Sequence, residues 1–161
     1  PAIESIGQYA FANCSLLAEF VVPDSVTSIG MAAFLNDKAL ESVTIGAGVR
    51  TIGDLAFGNA EKLASVKFSD SGALESIGTE AFSNCLSLTS VNFSEGLKSI
   101  GSQAFESCAL LSSVTFPEGL ESIGDSAFRD CAALNEVSVP DSVTRIGQFA
   151  FLMTGLYNAE K

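Results

Sequence analysis

Apolar residues in this chain recur in columns. The string Ile-Gly-x-x-Ala-Phe occurs seven times, beginning at Ile6, Ile29, Ile52, Ile77, Ile100, Ile123 and Ile146. The isoleucine spacings are 23, 23, 25, 23, 23 and 23. Seven copies at one period lie beyond chance and mark a repeat architecture. The longer step carries two extra residues within 69–73 (Ser-Asp-Ser-Gly-Ala), a polar stretch with loop character.

Other positions fall into register around that string. Six residues after each phenylalanine stand Leu17, Leu40, Leu63, Leu88, Leu111, Leu134 and Tyr157. Nine residues after, the column is Phe20, Val43, Val66, Val91, Val114 and Val137; eleven after, it is Val22, Ile45, Phe68, Phe93, Phe116 and Val139. The pattern L-x-x-V-x-[IVF] has the strand period of two in its last three positions. Its β-branched and aromatic residues suit a half-buried pleated surface. A unit this short cannot bury its own apolar face, so stacking must close the core. The expected fold is a solenoid of about six coils, each advancing about 4.8 Å, with a parallel strand ladder on one wall.

The Gly-x-x-Ala-Phe segment predicts a short helical or 3₁₀ turn on the opposite wall. A column of Asn13, Asn36, Asn59, Asn84, Ser107 and Asp130 follows it. Asparagine and aspartate tolerate left-handed dihedrals and cap turns. The glycine after each isoleucine predicts either a positive φ or a close approach between coils. The pair of apolar residues ending at each isoleucine (Val26 and Ile29, for example) suggests a second short strand.

Composition narrows the chemistry. The 161 residues are 47% hydrophobic, with 19 acidic and 8 basic side chains and a net charge of −11. That charge argues against nucleic-acid binding. No apolar run reaches the ~18 residues of a membrane span. Histidine is absent, which removes the commonest general base and metal ligand. The expectation is a non-enzymatic domain with no cofactor and no metal centre.

The repeat L-x-x-V-x-[IVF]-P-x-x-[VL]-x-x-I-G-x-x-A-F-x-x-C resembles the BspA-like, or Treponema-type, leucine-rich repeat, from Ile3 to about Tyr157. The resemblance implies a right-handed leucine-rich-repeat solenoid. It also implies a secreted or cell-surface protein of bacteria or protozoan parasites, with a role in adhesion to host proteins. The match has gaps. Proline stands at Pro23, Pro117 and Pro140 but is replaced by Gly46, Ser69 and Ser94; the cysteine column is interrupted by Asp37, Ala60 and Thr154. The chain opens in mid-repeat at Ile3, and its columns decay at Thr154, Tyr157 and Glu160. The expectation is one domain over 1–161, a fragment of a longer surface protein.

Candidate sites follow from the polar columns. Cys14, Cys85, Cys108 and Cys131 sit in one column, and the last three recur at the repeat period. Stacked β-carbons about 4.8 Å apart exceed the ~3.8 Å mean of a disulfide, so the cysteines read as buried small hydrophobes. A variable column holds Tyr9, Leu55 and Phe149, which could be exposed anchors. An acidic row, Asp24, Asp70, Glu95, Glu118 and Asp141, follows the strands. It reads as a solvated rim, with a basic protein partner or Ca²⁺ as alternatives. The outward strand positions include Ser42, Ser65, Ser90 and Ser113 in one column and Thr44, Lys67, Asn92 and Thr115 in the next. With Asp70, Glu95 and Glu118 they form the predicted ligand surface, the rungs around Lys67 and Asn92 being the least uniform. The leading expectation is a binding module presenting this face to a host or cell-surface protein or glycan. The alternative is a structural spacer arm.

Overall fold

Each coil contributes to three runs of inter-coil hydrogen bonds, and every strand is short because the chain must complete a full circuit within one repeat. The computed structural model describes residues 2–158, the side chains of Tyr157 and Asn158 excepted; Glu160 and the Tyr157 side chain lie outside the described residues. It is a β-solenoid of about six coils.

Two series of strands alternate along the chain. The first comprises β1 (Ser5–Ile6), β3 (Ser28–Ile29), β5 (Thr51–Ile52), β7 (Ser76–Ile77), β9 (Ser99–Ile100), β11 (Ser122–Ile123) and β12 (Arg145–Ile146). The second comprises β2 (Glu19–Val21), β4 (Ser42–Ile45), β6 (Ser65–Phe68), β8 (Ser90–Asn92) and β10 (Ser113–Thr115). All pairings are parallel, as a chain that always circles the same way requires.

The first series forms an unbroken seven-stranded ladder. It is the short second strand that the apolar pair before each glycine suggested. Its isoleucines point inward, and Ile29 through Ile123 are at most 2% exposed. The glycine after each isoleucine serves close approach: a Cβ on Gly101 would lie 2.6 Å from the Gly78 carbonyl carbon. The positive-φ alternative fails, since no described glycine has a positive φ.

The opposite wall is not helical, which corrects the expected helical or 3₁₀ turn. Gly7–Ala10 and Phe11–Cys14 are hydrogen-bonded turns, closed by Ala10 N–H to Gly7 O (3.3 Å) and Cys14 N–H to Phe11 O (3.2 Å). Each has a left-handed residue at its third position, Tyr9 (φ 55°) and Asn13 (φ 62°). A left-handed residue reverses the local twist before a helical turn can propagate. The freed amides bond to the next coil instead: Tyr9 N–H to Met31 O (3.0 Å), Phe11 N–H to Ala33 O (2.7 Å) and Asn13 N–H to Leu35 O (2.8 Å). The one described 3₁₀ helix is η1 (Gly155–Asn158). The asparagine column adopts the left-handed conformation as expected, and its amides form a ladder. Asn36 Nδ2 donates to Asn13 Oδ1 (3.2 Å), Asn59 to Asn36 (2.9 Å) and Asn84 to Asn59 (3.0 Å).

The core is a spine of stacked phenylalanines. Successive rings from Phe11 through Phe34, Phe57, Phe82, Phe105 and Phe128 to Phe151 have centroids 5.1, 4.9, 5.0, 5.1, 5.3 and 5.4 Å apart. Interplanar angles stay between 2° and 9°. That spacing matches the strand repeat, so one ring per coil fills the space. Each fully buried ring contributes roughly 1.5–3 kcal/mol. The leucine column, Leu40 to Leu134, is fully buried beside it.

The cysteines are free, and Cys85, Cys108 and Cys131 are buried in this core. Their thiols donate to the carbonyls of Phe57 (3.4 Å), Phe82 (3.2 Å) and Phe105 (3.1 Å) on the preceding coil. Cys14 departs from the buried-column expectation: it is half-buried, because it belongs to the first described coil and no preceding core covers it. Asp37 occupies the same column and is fully buried. One carboxylate oxygen accepts the Cys14 N–H (2.7 Å), and the other has no partner.

Candidate functional site: a cleft in the strand wall

The second strand series does not form one ladder. It splits into a three-stranded sheet, β2-β4-β6, and a two-stranded sheet, β8-β10. Backbone rungs show where. Glu41 N–H donates to Ala18 O (2.7 Å), Ala64 N–H to Glu41 O (2.9 Å) and Ser112 N–H to Thr89 O (2.9 Å). No equivalent bond joins Ala64 to Thr89, or Ser112 to Asn135, among the described residues.

The first break coincides with the coil that carries the two extra residues. The extra length folds into its own turn, with Gly72 N–H bonded to Ser69 O (2.9 Å) and Ala73 N–H to Ala47 O (3.0 Å). Gly72 lies against Ser94 of the next coil, its ideal Cβ position 3.5 Å from the Ser94 Cβ. Between β6 and β8 opens a cleft of about 610 Å³. A second hollow of about 460 Å³ lies between β10 and residues 135–138.

Five predicted ligand residues meet in the larger cleft: Ser65, Lys67, Asp70, Ser90 and Asn92. Ser65 and Lys67 alternate with inward Val66 on β6, while Ser90 and Asn92 alternate with inward Val91 on β8. This is the two-residue strand period, and it exposes every polar member. Ser42 and Thr44 pair in register with Ser65 and Lys67 on the neighbouring β4, with Ser42 half-buried. Ser113 and Thr115 pair with Ser90 and Asn92 on β10; Ser113 lines the second hollow. Glu95 and Glu118 are exposed at the corner after the strands but line neither opening.

Three further features of the cleft are not legible in the polar columns. Val66, Phe68 and Phe93 lie along it, with the two rings 5.8 Å apart. Ser69 extends one lip. Ser94 lines it while only 4% exposed, and its hydroxyl has no hydrogen-bond partner. The longer isoleucine step marks this coil in the sequence, but nothing there shows that the wall parts.

Electrostatics at the cleft are balanced. Lys38, Arg50, Lys98 and Arg129 form surface ion pairs at 2.8–3.7 Å, each worth little. Lys67 forms none among the described residues. Asp70 supplies one carboxylate nearby. Along the acidic row, Asp24 accepts the Ala47 N–H (2.8 Å) and so holds the corner between coils. No group of three or more potential metal-ligating side chains converges among the described residues. Burial pushes the Cys108 and Cys131 thiols well above their ordinary range, which leaves them protonated and inert at neutral pH. Burial likewise raises Asp37 to about 6, against the lowering effect of the Cys14 N–H. Tyr9 and Phe149 of the variable column are exposed on the turn wall; Leu55 is half-buried.

Comparison with known proteins agrees with this architecture. A leucine rich cell surface protein from Faecalibacterium prausnitzii superposes with a TM-score of 0.79 at 34% identity, over 94% of this chain and 40% of that one. The Treponema pallidum leucine rich repeat protein gives 0.77 at 30% identity, over 89% of this chain and 73% of that one. The pneumococcal vaccine antigen PcpA shares the fold, with a TM-score of 0.77 at 23% identity over 92% of this chain and 41% of that one. The chain thus spans about 40% of the length of the F. prausnitzii protein. No curated protein matches it. No described helix is long and apolar enough to cross a membrane. The family model for the BspA type leucine rich repeat region matches residues 1–108 and 63–160, in six copies. With its phenylalanine spine and parallel coils, the chain belongs to the BspA-type leucine-rich repeat family.

Proposed function

We propose that the chain is a non-enzymatic binding module of a cell-surface or secreted protein, acting in adhesion by recognising a host or cell-surface protein or glycan. The strand wall, with the acidic corner beside it, is the recognition surface. The cleft between β6 and β8 carries this reading. It gathers five of the polar strand and corner residues, including a lysine without an ion pair among the described residues, at one opening in the wall. The F. prausnitzii relative is described as a cell surface protein, which supports an extracellular setting. The wall is shallow and lacks Trp, Tyr and Arg anchors, so single contacts are weak and affinity comes from multivalency.

The test is binding of the fluorescently labelled chain, clustered on beads, to intact epithelial cells and to bacterial cells. The wild type is expected to bind at least one surface. The double variant Lys67→Glu and Asn92→Arg is expected to lose most of that signal, whereas Lys62→Glu, away from the cleft, keeps it. Equal binding by both variants and the wild type overturns the assignment of the surface. A uniform column of serines at Ser65, Ser90 and Ser113 favours the second reading, a spacer arm. A spacer binds neither surface.

A further inference from the structure

We infer that the cleft between β6 and β8 binds a short, uncharged saccharide. This deepens the binding-module reading and rests on it.

The broken rung comes first. On the intact rungs the amide of one coil is satisfied by a carbonyl of the coil before. Here the Ala64 carbonyl and the Thr89 amide, adjacent to Ser65 and Ser90 on the two lips, have no backbone partner among the described residues. The backbone next to one lip is thus left with an open acceptor and that next to the other with an open donor. A hydroxyl both donates and accepts, so a polyol can bridge such a gap with a repeated group. The second observation is Ser94. Its hydroxyl is buried at the cleft without a partner, although buried polar atoms are nearly always hydrogen-bonded. In the corresponding corner position stand Pro23, Gly46, Pro117 and Pro140, which have no side-chain hydroxyl to satisfy. Ser69, the remaining member of that column, meets the Ser71 hydroxyl at 3.4 Å.

Charge and shape select the ligand class. Lys67 and Asp70 contribute one charge of each sign, so neither an anionic nor a cationic ligand gains net attraction from the pair. Asn92 adds an amide that can donate and accept. The apolar edge formed by Phe68 and Phe93 suits the C–H face of a sugar ring. The volume, about 610 Å³, lies within the usual range of small-ligand sites. A peptide strand does not enter the gap. It would need β6 and β8 about 9.6 Å apart, two ladder spacings, whereas Phe68 and Phe93 hold their rings at 5.8 Å.

The experiment is a titration of the ¹⁵N-labelled chain with lactose, maltose and N,N′-diacetylchitobiose, read by amide shifts. At least one disaccharide is expected to shift amides of residues 64–70 and 89–94, with a Kd on the order of 1–10 mM. Asn92→Ala and Ser94→Ala are each expected to weaken it about five-fold, and Ser122→Ala, on β11 of the other ladder, to leave it unchanged. Deleting Ser71 and Gly72 returns the coil to the length of its neighbours; this variant is expected to melt cooperatively and to lose the response. No shift with any of the three sugars overturns the proposal. So do shifts spread evenly along the wall, or a response that survives both point variants. If an acidic peptide shifts the same amides while the sugars do not, the saccharide assignment falls. If the sugars give nothing but Lys67→Glu with Asn92→Arg still abolishes cell binding, the saccharide proposal fails and the binding module stands. Loss of both effects overturns both.

Discussion

The glycine-flanked wall and the outer strand wall are built from the same coils, yet one runs unbroken through seven strands and the other splits after three. Both pass the coil with two extra residues. On the first wall, backbone pairing from β3 to β11 is reinforced on each coil by a buried isoleucine, a glycine that lets neighbouring coils touch, and the phenylalanine spine behind it. The spine spacing across the insertion, 5.0 Å between Phe57 and Phe82, is indistinguishable from its neighbours. On the outer wall, Phe68 of the inward row is only half-buried at the parted rung, whereas Phe93 and Phe116, directly after the paired strands β8 and β10, are buried. Where side chains and backbone share one register, extra length is expelled as a loop. Where the inward row is less fully covered, as at Phe68, the rung is lost.

The largest effect should separate the two walls directly. Phe105→Ala removes a fully buried ring stacked on Phe82 and Phe128 and is expected to cost about 3–5 kcal/mol. Phe68→Ala, at the parted rung, should cost less than half as much. Urea unfolding of both variants measures the difference; equal losses would erase the contrast. Next come the glycines. Gly101→Ala drives a Cβ into the Gly78 backbone and should cost about 2–3 kcal/mol. Gly7→Ala meets nothing within 4 Å and should be nearly neutral. A neutral Gly101→Ala would show that the coils are not in close contact there.

Asp37 tests whether the interior tolerates a polar interruption. Its carboxyl is raised from 3.8 to about 6 in the folded chain. The folded state therefore holds its proton more tightly than the unfolded state. The ionisation penalty is absent below about pH 4, grows as pH rises through 6, and is complete above it. Asp37→Cys, which restores the column, should raise stability by roughly 2 kcal/mol at pH 7.5. That gain should shrink toward pH 4 in melting experiments across the range. A gain independent of pH would exclude ionisation as its source. The smallest effect belongs to the turn wall. Ser126 holds φ at 53°, where glycine is free of strain, so Ser126→Gly should stabilise by about 0.5–1 kcal/mol in the same unfolding assay.

Much of this was legible in the residues because a solenoid repeats its environment. Leu63, Leu88 and Leu111 recur because each meets the same neighbours one coil on, and their burial follows from the column alone. The asparagine column announced its left-handed turns in the same way, since Asn36 and Asn59 are residues that accept that conformation. The companion column did not. Tyr9, Leu55, Gln103 and Phe149 all adopt φ between 55° and 59°, though none is a residue that favours it. The helical turn expected from the Ala-Phe spacing failed for the same reason, because stacking of coils imposes the left-handed residues that interrupt it.

The sequence by itself determined the period, the inward columns, the buried thiols of Cys85, Cys108 and Cys131, and the polar outer face bearing Lys67 and Asn92. These depend on local spacing and on which residues tolerate burial, and both are written in the chain. The tertiary structure decided which wall stays continuous, where the rung between Ala64 and Thr89 is lost, and that the Ser94 hydroxyl has no partner. Those outcomes arise from competition between coils for one register, and no single repeat contains that competition.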